Sequence, residues 1–139
     1  MAPLAADSNN VGLLVRLFDD TTEEGVGFQA KVPTGVTNMK IKLISRAETT
    51  PGGVRTVGAK LYNRGIPGAV ESWSVGNALA DIDIPASENW VSDEETISLA
   101  TLGVTAGEIT QFELTRINPT AGTELTGDFT LLWLGLEFT

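Results

Sequence analysis

Between Gly25 and Phe138, apolar side chains recur at every second position in short runs broken by glycine, proline, aspartate and asparagine. No stretch sustains the spacing of an amphipathic helix. A two-residue period puts alternate side chains on opposite faces of an extended chain, so these runs predict strands with one face buried. The run Gly25 to Val32 alternates Val26, Phe28, Ala30 and Val32 with Gly27, Gln29 and Lys31, and Pro33-Thr34-Gly35 ends it with turn chemistry. Asn38 to Arg46 sets Met39, Ile41 and Leu43 against Lys40, Lys42 and Ile44, and Val54 to Asn63 carries Val57, Ala59 and Leu61 on one face.

The last third of the chain predicts two long antiparallel strands. In the first, Thr110, Phe112, Leu114 and Arg116 share a face opposite Gln111, Glu113 and Thr115. In the second, Leu132, Leu134, Leu136 and Phe138 share a face, and the opposite face holds Leu131 and Trp133 beside Gly135 and Glu137. That second face is too apolar for plain solvent surface, which makes Leu131 and Trp133 candidates for a subunit contact. Weaker runs fill in the rest. Gly12 to Phe18 reads as a first strand stopped by the acidic stretch Asp19 to Glu24, and Val70 to Val75 as a short edge strand or a one-turn excursion. Leu79 to Ile84 predicts another strand. Asn89 to Ser92 and Thr96 to Leu99 predict two more around an acidic turn, Asp93-Glu94-Glu95, and residues 100–107 predict a loop. Short strands at this spacing indicate an all-β chain, an antiparallel β-sandwich and specifically a jelly roll of about eight strands, with another Greek-key connectivity as the alternative. Residues 1–11 are expected as a flexible N-terminal arm and 12–139 as a single domain. The inward set is expected to be Phe28, Ile41, Leu43, Leu61, Ile82, Ile84, Phe112, Leu114, Leu132, Leu134 and Leu136.

Composition narrows the chemistry. The 139 residues contain no cysteine and no histidine, which removes Ser-His-Asp and Cys-His nucleophile systems, thiol redox centres and Cys/His zinc sites. With 9 Lys+Arg against 18 Asp+Glu, the net charge of -9 argues against nucleic acid as a partner. The first residues lack the pattern of a signal peptide and no stretch reaches transmembrane length, so no membrane partner is expected. Acid–base work could fall only to carboxylates, of which Asp81, Asp83, Asp93, Glu94, Glu95 and Asp128 are the candidates. On a strand face such residues are ordinarily solvated charge, and no calcium loop of the Asp-x-Asp-x-Asp-Gly type is present. The glycines of Gly25-Val26-Gly27 and Gly52-Gly53 lack the lysine and helix of a phosphate loop. No catalytic, cofactor or metal site is therefore expected. Trp73, Trp90 and Trp133 remain as residues that could plug the core, fill a subunit contact or stack on a sugar. Arg116, on the face of Phe112 and Leu114, calls for a structural ion partner.

The segments Val26-Gly27-Phe28-Gln29-Ala30-Lys31-Val32-Pro33 and Lys40-Ile41-Lys42-Leu43-Ile44-Ser45-Arg46-Ala47 carry a resemblance when taken with Ala106 to Arg116 and Gly127 to Leu132. Together they resemble the small jelly-roll structural proteins of tailed bacteriophages, among them capsid decoration (cement) proteins and tail-fibre modules. The resemblance implies a homotrimeric sandwich on the outer capsid surface of a virion, assembled in the host cytoplasm, with the major capsid protein as partner. It implies no enzymatic role and carries over no functional residue. The alternative is a glycan- or receptor-binding module of a tail fibre, in which an exposed Trp73 or Trp90 stacks on a sugar ring.

Overall fold

The computed structural model describes residues 4–6, 14–18, 24–66, 73–87 and 89–139. Among them the strands are β1 (Leu4–Ala6), β2 (Leu14–Phe18), β3 (Gly25–Lys31), β4 (Asn38–Ala47), β5 (Arg55–Ile66), β6 (Asn77–Ala78), β7 (Ile82–Ile84), β8 (Val91–Ser98), β9 (Ile109–Ile117) and β10 (Phe129–Phe138). A single helical turn, α1 (Leu99–Leu102), separates β8 from β9. Every pairing between these strands is antiparallel. The first sheet runs β1-β2-β10-β4-β8; the second runs β3-β9-β5-β6, with β7 also paired to β5. From β2 to β5 and again from β8 to β10, each successive strand lies in the other sheet. The protein is an all-β antiparallel sandwich.

The alternation seen in the sequence sets the register. On β4, Met39, Ile41, Leu43, Ser45 and Ala47 are buried while Lys40, Lys42, Ile44 and Arg46 point away from the core. The second sheet answers with Val57, Ala59 and Leu61 from β5 and Phe112 and Leu114 from β9, all buried. Phe28 of the edge strand β3 stacks on Phe112 with ring centroids 5.3 Å apart. Each such large side chain contributes about 1.5–3 kcal/mol relative to exposure, so the sheets are held mainly by their facing apolar surfaces.

Three expectations need correction. The acidic run Asp93-Glu94-Glu95 is no turn but the middle of β8, paired residue for residue with Leu43, Lys42 and Ile41. Lysines on β4 pair with its outward member: Lys42 Nζ lies 3.2 Å from Glu94, and Lys40 bridges Glu94 and Glu137 at 4.0 and 3.7 Å. The segment after β8 holds a helical turn in place of a plain loop. Ser98 caps it by accepting from the Thr101 amide, Gly103 closes it at φ 69, and buried Asn63 donates to the Leu102 carbonyl at 2.8 Å. Leu132 leaves the inward set because the register of β10 against β4 shifts between Leu131 and Trp133. A bulge there adds one residue, so Phe129 and Leu131 face the core before it and Leu134, Leu136 and Phe138 after it.

Arg116 is 6% exposed on β9. Its guanidinium donates to the carbonyls of Phe18, Gly127 and Leu125, tying the end of β2 and the turn before β10 to the second sheet. Of the expected N-terminal arm, Leu4–Ala6 is the edge strand β1, paired with Leu14–Arg16; residues 1–3 and 7–11 lie outside the described residues. So do residues 70–72 of the expected edge excursion.

Candidate functional site

The outward side chains of the two sheets form two different surfaces. On the first sheet, the inner strands β10 and β4 present Trp133, Gly135 and Glu137 beside Ile44, Lys42 and Lys40 in direct register. Trp133 is 49% exposed. A Cβ on residue 135 would overlap the six-membered ring of Trp133, so the indole lies along its own strand over Gly135. Glycine at 135 is what lets the ring lie flat. The result is an apolar plate beside Ile44, bordered on one side by the Lys40, Lys42, Glu94 and Glu137 ladder. Arg46, next outward on β4, holds its guanidinium 4.8 Å from the Trp90 ring.

The structure thus separates the four expected contact residues. Leu131 is 5% exposed and belongs to the core. The expectation that it shares an outer face with Trp133 fails because the bulge turns the two residues to opposite sides. Trp133 lies on the outer face of the first sheet, and Trp90, just before β8, is half-buried under Arg46.

Trp73 belongs to the second sheet. Backbone bonds from Ser74 to Asn63, and from the Asn63 amide to the Ser74 hydroxyl at 3.1 Å, lay the Trp73–Ser74 segment along β5. The Trp73 indole stacks on Arg64, 4.5 Å from ring centre to guanidinium, and Arg64 Nε donates to Gln111 Oε1 at 2.6 Å. A groove of about 410 Å³ runs from Trp73 and Arg64 over Gln111 to Gln29. A second, of about 280 Å³, holds Tyr62, Ser74, Glu113 and Thr115, with Trp73 common to both. Sequence reasoning singled out Trp73 but missed Tyr62, Gln29, Gln111 and Glu113. Their outward alternation was visible, yet only the pairing of Tyr62 with Glu113 and Arg64 with Gln111 brings them under one indole.

Four of the candidate carboxylates, Asp81, Asp93, Glu94 and Glu95, border one small cavity, while Asp83 is exposed on β7 and Asp128 lies just before β10. Asp81, Asp93 and Glu95 line this cavity of about 50 Å³ with Ile41, Leu43 and Leu79, room for a water or two but not for a sugar ring. Each is engaged differently. Thr120 donates its hydroxyl to Asp81 at 2.6 Å, and the Thr120 and Ala121 amides add to it, holding the Asp81 carboxyl below its ordinary range. Burial, and then the charge of Asp83, push Asp93 up. Glu95 accepts from the Ala80 amide at 2.7 Å. Among the described residues, no group of three or more acidic side chains is arranged to hold a metal ion, and no helix is long and apolar enough to cross a membrane.

No protein-family model matches the chain, and a search of curated proteins finds no match. The two outer faces therefore carry the functional reading.

Proposed function

We propose that the protein is a virion structural part, a capsid decoration (cement) protein that binds the outer surface of a tailed-phage head and stabilises the shell. The observation that carries this reading is the Trp133 plate. A half-exposed indole, seated on glycine beside Ile44, marks a surface built to be covered. The charged ladder beside it supplies a polar rim of the kind that surrounds an interface core.

The strand order supports the same reading. The orders β2-β10-β4-β8 and β3-β9-β5-β6, with the chain crossing between the sheets, are compatible with the jelly roll expected of such a protein. A decoration protein acts by linkage: whatever binds the assembled shell and not its separated subunits stabilises the assembly by RT ln(1 + [L]/Kd), about 2.7 kcal/mol per site at a hundredfold excess over Kd. A net charge of -9 suits a surface turned away from packaged DNA. On this reading the protein is a homotrimer, the major capsid protein is its partner, and its place is the outer capsid surface.

Light scattering on the purified chain across a range of concentration tests the self-association. A trimer that Trp133→Asp converts to monomer is expected. A wild-type chain that stays monomeric at every concentration contradicts the trimer, and a Trp133→Asp chain that stays trimeric contradicts the plate as the contact.

A further inference from the structure

The outer face of the second sheet lies across the sandwich from the Trp133 plate and plays no part in the docking reading. It is not a plain solvated surface. Two grooves meet at one indole, and their combined extent falls within the roughly 300–1,000 Å³ typical of ligand sites. Trp73 is 38% exposed, and its position is fixed twice, by the Arg64 guanidinium against its ring and by the bond of the Ser74 amide to the Asn63 carbonyl on β5. Arg64 is itself held by Gln111 at 2.6 Å. An aromatic ring that keeps its place without a ligand loses little freedom on binding one.

The polar groups around that ring point to the ligand. Tyr62 and Ser74 offer hydroxyls. The Gln111 amide, with its oxygen taken by Arg64, keeps its NH₂ for donation. Glu113 offers a carboxylate that accepts from Thr115 at 3.4 Å, and Gln29 stands exposed at the end of the larger groove. These groups project from neighbouring strands about 4.8 Å apart, so donors and acceptors alternate across a flat surface. A polyanion would need a basic groove, and here Glu113 sits among Arg64 and Lys60. A greasy partner would need an apolar one. What matches a flat aromatic backed by the Arg64 guanidinium and surrounded by amides, hydroxyls and a carboxylate is a pyranose, whose axial C–H face packs on the ring and whose equatorial hydroxyls reach outward.

We propose that the outer face of the second sheet is a binding site for a neutral oligosaccharide, with Trp73 as the stacking platform and Tyr62, Gln111, Glu113 and Gln29 as the hydrogen-bonding groups. The site accommodates more than one sugar unit, since two grooves of about 410 and 280 Å³ share Trp73 and Glu113. It is independent of the reading of the Trp133 plate, since whatever covers the outer face of the first sheet leaves this face open.

The test uses the full chain, isotopically labelled, with short oligosaccharides of glucose, N-acetylglucosamine, mannose and galactose as separate probes. Binding is followed by the Trp73 indole N–H resonance and by calorimetry. At least one probe is expected to shift that resonance saturably. Trp73→Ala is expected to weaken binding about tenfold or more, the upper end of what an aromatic contact contributes beyond area. Gln29→Ala, on an edge strand where folding is not at stake, is expected to weaken it severalfold, and Val54→Ser, in an exposed loop away from both faces, to leave it unchanged. The proposal is overturned if no probe moves the Trp73 resonance at concentrations on the order of 10 mM, where even a complex worth about 4 kcal/mol is populated. It is overturned equally if both Trp73→Ala and Gln29→Ala bind as the wild type does. Neither result touches shell binding.

Discussion

Replacing Arg116 with lysine tests the internal logic of the sandwich. The guanidinium of Arg116 reaches three backbone carbonyls at once, those of Phe18, Leu125 and Gly127, from a position 6% exposed. A lysine ammonium keeps the charge but is a single point without the fork, and from this strand position it can serve one of the three well. Two carbonyls then lose a charged donor. Hydrogen bonds to a charged group contribute about 1.5–3 kcal/mol each, and water entering the loosened turn restores part of that. The expected cost is therefore about 2–4 kcal/mol, out of a total stability of about 5–15 kcal/mol for a domain. Urea unfolding reads it directly: the midpoint falls by about 1–2 M at unchanged slope, and amide exchange rises around Phe18 and Leu125 to Gly127 before it rises in β4 or β9. A lysine variant within about 0.5 kcal/mol of the wild type would refute the reasoning, because the three bonds would then be geometry without energetic consequence.

Other substitutions follow from the same structure. Leu114→Asp places a charge in the centre of the core and is expected to abolish soluble expression, whereas Leu132→Asp, at the bulge, is expected to leave a soluble, folded chain, as read by circular dichroism. Gly135→Ala forces the Trp133 indole off the strand; the fold is expected to survive with a midpoint within about 1 kcal/mol of wild type, while the indole emission shifts and self-association weakens. The neighbouring acids Asp81 and Asp93 are expected to respond to pH with opposite signs. The lowered Asp81 stabilises the fold above its unfolded-state pKa and loses that contribution as pH falls through its folded value, so Asp81→Asn costs stability at neutral pH and progressively less in acid. The raised Asp93 binds its proton more readily in the folded state, so its ionisation costs stability as pH rises between the unfolded and folded values. Asp93→Asn should therefore raise the melting temperature at neutral pH and leave it nearly unchanged in acid.

How far these features were legible in the sequence depends on what each one rests on. The faces of β4, β5 and β9 follow from alternation alone, because a strand flanked by its own sheet has only two sides to choose between. Leu131 and Leu132 were misplaced because a bulge is one extra residue in an otherwise regular run, and Thr130-Leu131-Leu132-Trp133 carries no glycine or proline to announce it. The acidic run in β8 was misread for a different reason. Consecutive carboxylates repel one another in an isolated strand, and Glu94 is met by Lys40 and Lys42 on β4 and Glu95 by the Ala80 amide, partners the local sequence does not name. The Trp73 groove needed still more non-local information, since Arg64 and Gln111 lie far apart in the chain and meet only through β5–β9 pairing. Arg116 stands between these cases. Its position on a buried face foretold a structural role, but not that backbone carbonyls from two distant turns would receive it.

Cosedimentation of the purified chain with expanded tailed-phage shells that lack any decoration protein tests the proposed role most directly, run in parallel with the Trp133→Asp variant. The account predicts that the wild type pellets with the shells in a saturable, stoichiometric amount and raises their resistance to heat, while the variant stays in the supernatant. A wild-type chain that remains in the supernatant, or a variant that pellets as well as the wild type, would contradict it.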